Sequence, residues 1–376
     1  MSIAQQQSPF QLQRIATIME PDPHNPHEAW GVLNPASARS QDGELYLYPR
    51  VVAEGNYSRI GIARVHFDAA GDPAGVTRLG YVLEPEEEYE RSERSAGGVE
   101  DPRVTYVEPL GRWVMAYTAV SRLGPRIAIA VSVDLFHWER LGLLQYEPTG
   151  SVDFNLYDNK DGMLFPDVVL DPVGKPALAI LHRPRYLIHQ ADGTVLLEVP
   201  GDVQEERESI WIAYISLERA RDDIRNLVQV YAPELLAVPE EPWESVKIGG
   251  GAPPLRVPQG WLTFYHGVSG TVSLDPSVPK SVRYSAGAMV LDAERPTRIL
   301  YRSPQPVLEP EEHGEQEGIV PNVVFPTAVD RRDDRRVDVY YGMADSRIGV
   351  ARAAIPPAIS PDGKVKDWNP ADARKE

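Results

Sequence analysis

One strand pattern recurs five times along the chain, and a repeat of this kind restricts the fold more than any single motif does. Each copy opens on a segment containing proline, passes a turn, and runs through an apolar strand rich in aromatics. A second apolar strand follows, often ending in alanine. The first copy runs from Asn34-Pro35 through Glu44-Leu45-Tyr46-Leu47-Tyr48 to Ile60-Gly61-Ile62-Ala63. The second runs from Asp101-Pro102 through Trp113-Val114-Met115-Ala116-Tyr117 to Ile127-Ala128-Ile129-Ala130, and the third from Phe165-Pro166 through Ala177-Leu178-Ala179-Ile180-Leu181 to Ile210-Trp211-Ile212-Ala213. The fourth opens at Pro253-Pro254 and contains Trp261-Leu262-Thr263-Phe264-Tyr265; the fifth opens at Phe325-Pro326 and contains Val337-Asp338-Val339-Tyr340-Tyr341. A spacing of roughly 65 to 90 residues suits a four-stranded blade carrying loop insertions.

With 35 prolines and 29 glycines, turns are favoured over long helices, and the pattern predicts an all-β fold, a five-bladed β-propeller. Residues 31–355 would form this single domain, between an N-terminal arm (1–30) and a C-terminal arm (356–376). A two-sheet sandwich is the rival, but it has no need of five copies of one signature. In a propeller the innermost strands line one central channel, so residues distant in sequence meet there. Segments Glu84 to Ser95, Tyr186 to Glu208 and Pro233 to Gly249 read as loop insertions at the pocket mouth or rim. The run Arg331-Arg332-Asp333-Asp334-Arg335-Arg336 reads as a solvated hairpin turn.

The formal charge of -17 argues against a nucleic-acid partner and fits a neutral substrate, or an anion held in a local basic pocket. The chain has no cysteine, which excludes disulfides, thiolate metal sites and cysteine nucleophiles. No apolar run approaches the roughly 20 residues of a membrane span. Met1 to Arg14 shows neither a basic leader nor an apolar core, and a cytoplasmic location is the expectation.

Chemistry concentrates in Gly97-Gly98-Val99-Glu100-Asp101-Pro102-Arg103. Asp101 at the opening of the second copy reads as a general acid whose pKa is raised by an enclosed site. A turn aspartate capping its own backbone is the competing reading. Asn34 and Asp167 lie near equivalent openings. A second set is basic: Arg122, Lys160, His266, and the strand end His182-Arg183-Pro184-Arg185, which together could hold a tetrahedral oxyanion. Other motifs fail. Gly249-Gly250-Gly251 lacks the lysine and hydroxyl of a P-loop, Asp153 to Gly162 does not have EF-hand spacing, and His313 among glutamates reads as exposed loop and not as a metal site.

Nine segments, in order over nearly the whole chain, resemble glycoside hydrolase family 130, the inverting β-mannoside phosphorylases and related β-mannosidases. They are Asn34-Pro35-Ala36, Gly98 to Arg103, Tyr117 to Arg122, Asn159-Lys160-Asp161 with Leu164-Phe165-Pro166, Leu181 to Pro184, Gly251 to Pro254, Tyr265-His266-Gly267, Val320 to Pro326 and Tyr340 to Asp345. The resemblance implies a five-bladed propeller with Asp101 as proton donor, acting through the 3-hydroxyl of bound mannose. It implies phosphate held by Arg122, Lys160 and His266, with Arg126 competing for the place of Arg122. The implied substrate-binding set is Asn34, Arg59, Glu100, Arg103, Asp167, Tyr265 and Asp345.

Phosphate is already a charged nucleophile, so such a site needs cations to position it and one acid for the leaving oxygen. An inverting hydrolase needs instead a second carboxylate, roughly 6.5 to 9.5 Å from the first, to activate water. The expected reaction is therefore phosphorolysis of β-mannosides, with mannooligosaccharides favoured, to α-mannose 1-phosphate. Inorganic phosphate is co-substrate, and no metal or other cofactor is called for. A β-mannosidase and a non-catalytic carbohydrate-binding propeller are the alternatives. The linkage, β-1,4 or β-1,2, stays open, and the arms at both ends leave room for a homo-oligomer.

Overall fold

The computed structural model describes residues 8–92, 97–190, 192–272 and 281–357. Strands dominate them, and the only α-helices among these residues are the short α1 (Leu217–Asp222) and α2 (His313–Gln316). The all-β expectation holds. None of the described helices is long and apolar enough to cross a membrane.

After β1 (Gln13–Met19), the first unit comprises β2 (Gly31–Arg39), β3 (Leu45–Ala53), β4 (Tyr57–Phe67) and β5 (Pro73–Leu83). The second comprises β6 (Gly97–Val107), β7 (Arg112–Ser121), β8 (Gly124–Ser132) and β9 (Glu139–Leu143). Within each unit consecutive strands pair antiparallel, and a short parallel bridge of Tyr57-Ser58 with Gly97-Gly98 links the two. β10 (Gln145–Tyr146) leads into the third unit: β11 (Asp158–Leu164), β12 (Val169–Leu170), β13 (Pro176–Arg185), the separate hairpin β14 (Leu187–His189) and β15 (Val195–Leu197), then β16 (Ile210–Ser216) and β17 (Gln229–Ala237). The fourth holds β18 (Lys247–Gly250), β19 (Leu255–Val257), β20 (Gly260–Thr271), β21 (Ser281–Leu291) and β22 (Ile299–Arg302). The fifth holds β23 (Val324–Arg331), β24 (Arg336–Met343) and β25 (Arg347–Ala354). Strand β1 pairs antiparallel with β25, so part of segment 1–30 forms the outer edge of the last sheet. The basic run Arg331 to Arg336 is the β23–β24 turn, internally ion-paired through Arg331–Asp334 and Arg336–Asp333. Residues 358–376, most of the expected C-terminal arm, lie outside the described residues.

Why the strands read as apolar on both faces is visible in the core. Side chains alternate along a strand, and here each face meets a different neighbouring unit. Along β7, Trp113, Met115 and Tyr117 enter a cluster with Tyr48, Ile60 and Ile62 of the first unit. Val114 and Ala116 enter another, with Leu164, Leu178 and Ile180 of the third. Further clusters join the third unit to the fourth and the fourth to the fifth. A fifth cluster places Tyr340, Ile348 and Val350 of the last unit against Val32, Leu47 and Val51 of the first.

Acidic turns fasten the sheet rims. Glu90, Glu244 and Glu315 are fully buried, and each follows a proline by five residues (Pro85, Pro239, Pro310). One carboxylate oxygen closes the turn by accepting two backbone N–H groups, for Glu90 those of Glu86 and Glu87 at 2.9 and 3.1 Å. The other accepts a tyrosine hydroxyl from the unit's second strand: Tyr117 and Tyr265 at 2.6 Å, Tyr341 at 3.0 Å. An arginine from the outermost strand completes each clamp: Arg140 on β9, Arg302 on β22 and Arg14 on β1. Glu28, five residues after Pro23, holds Arg78 of β5 in the same way. The segments 84–95 and 233–249, expected to be mouth or rim loops, thus carry buried clamps in their described parts.

A buried carboxylate serving four donors is worth far more than an exposed pair, because its removal strands the donors and a cation. Glu90→Ala is expected to lower the unfolding free energy by about 3–5 kcal/mol. Asp334→Ala, which removes a surface pair whose acid is 99% exposed, is expected to cost less than about 1 kcal/mol. Urea unfolding of both variants checks this, and equal losses would sink the clamp's role.

Candidate active site

The inner strands of the first three units slip register at one equivalent place. β2 slips between Leu33 and Ala36, β6 between Glu100 and Arg103, and β11 between Lys160 and Met163. At each slip sits a left-handed residue: Asn34 (φ 42°), Asp101 (φ 46°) and Asp161 (φ 57°). A bulge re-aims a side chain that regular pairing would have turned into the sheet, and Asn and Asp tolerate this backbone better than other residues with a side chain. Opposite the positions just before or at the slip, the second strands place Arg50, Thr118 and Arg183, and in the fourth and fifth units His266 and Gly342. Gly342 is required there, since a Cβ would strike Asn34 Oδ1. At Gly249 a Cβ would collide with Asp161, His266 and Arg183.

Two linked clusters result. In the first, Asn34 Nδ2 donates to Asp101 Oδ1 at 2.9 Å and Arg50 Nη1 donates to the same oxygen at 3.3 Å. Arg50 also holds Glu100 Oε1 at 2.8 Å and is braced by Ser58 and Asn56. The other oxygen of Glu100 accepts from Lys160 Nζ at 3.1 Å. Asp101 Oδ2 accepts no hydrogen bond from a described residue. Beneath them lies Arg103, 1% exposed. It donates to the backbone carbonyls of Asp101, Pro102 and Gly251, its guanidinium lies over the Phe325 ring, and its Nη2 has no partner. In the second cluster Arg183 Nε donates to Asp161 Oδ2 at 2.6 Å, and His266 Nε2 lies 3.9 Å from the same oxygen. His266 stacks on Tyr284 and meets the edge of Phe325. Glu208 gathers Arg183, Arg185 and Lys247.

Burial alone would raise the pKa of Asp101, but Arg50, Lys160, Arg103 and the Asn34 amide outweigh it and hold the carboxyl below its ordinary value. The expected raised pKa is therefore corrected: cations decide, and they keep Asp101 ionised. Asp161 is likewise opposed by burial but held well below the usual range by Arg183, His266 and Arg103. Asp345, in the β24–β25 turn, is pushed up to about 6 by burial, with Asp101 and Glu100 adding to the rise and Arg50 and Lys160 opposing it. Burial, against Asp161, drives His266 down to about 3, so it is a neutral imidazole and not the expected cation.

Asn34, Glu100, Asp101, Arg103, Lys160 and Asp345 come together in space, with His266 joined through Asp161. Four expected residues do not. Asp167 is exposed and bonded to its own neighbour's N–H. The adjoining Pro166 carbonyl accepts from Glu108, seven residues past Asp101 on β6, about 23 Å along a strand. The third unit's equivalent slip is Asp161-Gly162, and not the proline pair that resembled it. Tyr265 spends its hydroxyl on Glu244 and Arg302, on the face opposite His266. Arg59 pairs across from Val51, hence on the face opposite Arg50, and holds Glu84. Arg122 is exposed in the β7–β8 turn, and Arg126 is tied to Asp158. Arg50 and Asp161 were missed as site residues; the signal was an arginine ending the strand after Asn34, and an aspartate beside Lys160. Among the described residues no three His, Asp or Glu are placed to hold a metal ion.

Residues 5–357 match the family model described as beta-1,4-mannooligosaccharide phosphorylase. A 1,2-beta-oligomannan phosphorylase of Thermoanaerobacter sp. (strain X514) is 32% identical over 349 residues, covering 91% of this chain and 97% of that protein. A beta-1,2-mannobiose phosphorylase of the same organism is 32% identical over 261 residues, covering 69% and 67%. The fold is that of the beta-1,2-mannobiose phosphorylase from Listeria innocua, solved with beta-1,2-mannobiose: TM-score 0.66 at 24% identity over 92% of this chain and 97% of that one.

Replacing Arg50 by Met removes the cation shared by Asp101 and Glu100. Asp101 now contributes stability that is full above its unfolded pKa and lost as pH falls through its depressed folded pKa. Without Arg50 that contribution is expected to shrink or reverse, with a loss of about 3 kcal/mol at pH 7 that diminishes toward pH 4. Urea unfolding across that pH range checks the sign; a pH-independent loss would contradict it.

Proposed function

We propose a reaction for a chain that belongs to glycoside hydrolase family 130: inverting phosphorolysis of β-linked mannooligosaccharides to α-mannose 1-phosphate and a shortened acceptor. The observation that carries this reading is the unequal state of the two bulge carboxylates. Asp101 keeps one oxygen open beside Lys160, Arg50 and Arg103, whereas Asp161 is locked by Arg183. A carboxylate so tied is a poor base for water, and cations around the open acid suit an anionic nucleophile.

In this scheme Lys160 and the unpaired Nη2 of Arg103 offer positive charge to phosphate, with neutral His266 as a hydrogen-bond partner. Asp101 supplies the proton, through a hydroxyl of the bound sugar, as the glycosidic bond breaks. Asn34 and Arg50 fix its first oxygen, so that the second faces the substrate. Asp345 and Glu100 border the sugar. Phosphate is the only co-substrate in this reading, and no cofactor takes part.

The five units are read as the blades of one propeller over residues 31–355, completed by β1. Support comes from β2, which packs against both β6 and β23, and from the core cluster between the last unit and the first. For the linkage we favour β-1,2, because the relative spanning 97% of its own length is named a 1,2-beta-oligomannan phosphorylase.

A panel of β-1,2- and β-1,4-mannooligosaccharides, with and without inorganic phosphate, tests the reading. Phosphate-dependent cleavage with α-mannose 1-phosphate in the ³¹P spectrum is expected, and Asp101→Asn should lower kcat by about 10²–10⁴-fold. Equal cleavage in phosphate-free buffer would make the protein a mannosidase instead. Sugar binding with no turnover in the parent protein would leave only the carbohydrate-binding role.

A further inference from the structure

Three carboxyls and three cations face one another around the candidate acid. Glu100, Asp101 and Arg103 come from β6, Arg50 from β3, Lys160 from β11, and Asp345 from the β24–β25 turn. Asn34 of β2 adds a neutral amide, and the adjoining Asp161–Arg183 pair and neutral His266 add no net charge. Beyond them Glu208 stands against Arg185 and Lys247, the latter's pKa lowered to about 8 by burial. With every group in its ordinary state, the cluster is neutral. A phosphate dianion entering such a site would leave two uncompensated charges in largely buried surroundings, which is costly.

The least supported carboxyl is the one that can give way. Asp345 accepts no hydrogen bond from a described residue and faces two other acids, whereas Asp101 and Glu100 each hold an arginine. Its turn lies against β2, where Val32 N donates to the Ser346 carbonyl at 3.2 Å, so it cannot simply swing away from the cluster.

We propose that the anion and the catalytic proton enter this site together: phosphate binding is coupled to uptake of a proton by the Asp101–Asp345 pair. This rests on the phosphorylase reading above. The proton comes from solvent and neutralises one carboxylate of the pair. It is passed to the glycosidic oxygen as the bond from that oxygen to C1 breaks and a phosphate oxygen bonds to C1. The pair is then ionised again, and the sugar phosphate leaves. The ionised state that its cations impose on Asp101 is thereby reconciled with its role as acid, because the nucleophile itself brings in the protonated state.

Sulfate is the probe, a tetrahedral dianion with no proton of its own to exchange near neutral pH. Calorimetric titration at pH 7.5 in two buffers of different ionisation enthalpy reads the protons taken up. Uptake approaching one proton per sulfate is expected, with affinity falling about tenfold per pH unit above neutrality. Uptake should fade below about pH 6, where Asp345 is already protonated. Asp345→Asn should abolish most of the uptake and bind sulfate more tightly at pH 7.5. Asp101→Asn should do the same and carries the test if the first variant does not fold. Sulfate binding without uptake, uptake undiminished in both variants, or no anion binding at all would overturn the proposal. Phosphate dependence of mannoside cleavage is measured separately. Phosphorolysis without proton uptake refutes the coupling alone, and cleavage indifferent to phosphate refutes the phosphorylase reading.

Discussion

The register slip in β2, β6 and β11 is the constraint on which the site depends. In regular antiparallel pairing Asn34, Asp101 and Asp161 would alternate into the sheets, where each face is already taken by a neighbouring unit's core. Turning one residue into the left-handed region breaks that alternation at a single point. Such a backbone costs free energy of order 1–3 kcal/mol for a residue with a side chain, and asparagine and aspartate reduce it. Of the two residue types that suit the conformation, aspartate can carry a proton and asparagine can donate a hydrogen bond to it, as Asn34 does to Asp101, so the strained positions and the polar contacts coincide.

Much of the fold was legible because strands buried on both faces are apolar throughout, and five such runs stand out against the turns. The site was legible where its residues flank the slip: Glu100, Asp101, Arg103 and Lys160 stand next to a bulge or within it. The third unit misled because proline was used as the marker of a unit's opening. Pro35 and Pro102 do follow the left-handed residue, but at the equivalent place β11 has Gly162, whose Cβ would strike Ile127. Phe165-Pro166-Asp167 belongs to the far end of the strand. The acidic turns misled for another reason. A cluster of glutamates normally marks solvent, yet one glutamate in each turn is buried because it collects two N–H groups, a phenol and an arginine. Only the recurring proline-to-glutamate spacing of five residues distinguished it.

Enclosure does not by itself make an acid. Asp101 is as enclosed as the sequence suggested, but a buried carboxyl responds to the sign of its neighbours as well as to lost water. Three cations and an amide leave it ionised, while Asp345, in the same cluster, is raised by burial, with Asp101 and Glu100 adding to the rise against Arg50 and Lys160. In the reaction proposed above, two carboxyls with such opposed environments would divide the work of holding and releasing a proton.

The second strand of each unit joins the rim clamps to this chemistry. Tyr265 reaches out to Glu244, and the next residue, His266, faces the centre; Tyr117 with Thr118 and Tyr341 with Gly342 repeat the arrangement. In the first unit the corresponding pair is Pro49 and Arg50. In the third it is His182 and Arg183, where His182 is bonded to Asn159 and no clamp glutamate is present among the described residues. Because adjacent side chains point to opposite faces, a tyrosine fixed at the rim fixes the orientation of the site residue beside it. The clamps therefore orient the residues that face the candidate site without being part of it. The unit without a clamp is the one whose central cations, Arg183 and Arg185, are held instead by Glu208 from the segment that follows their strand.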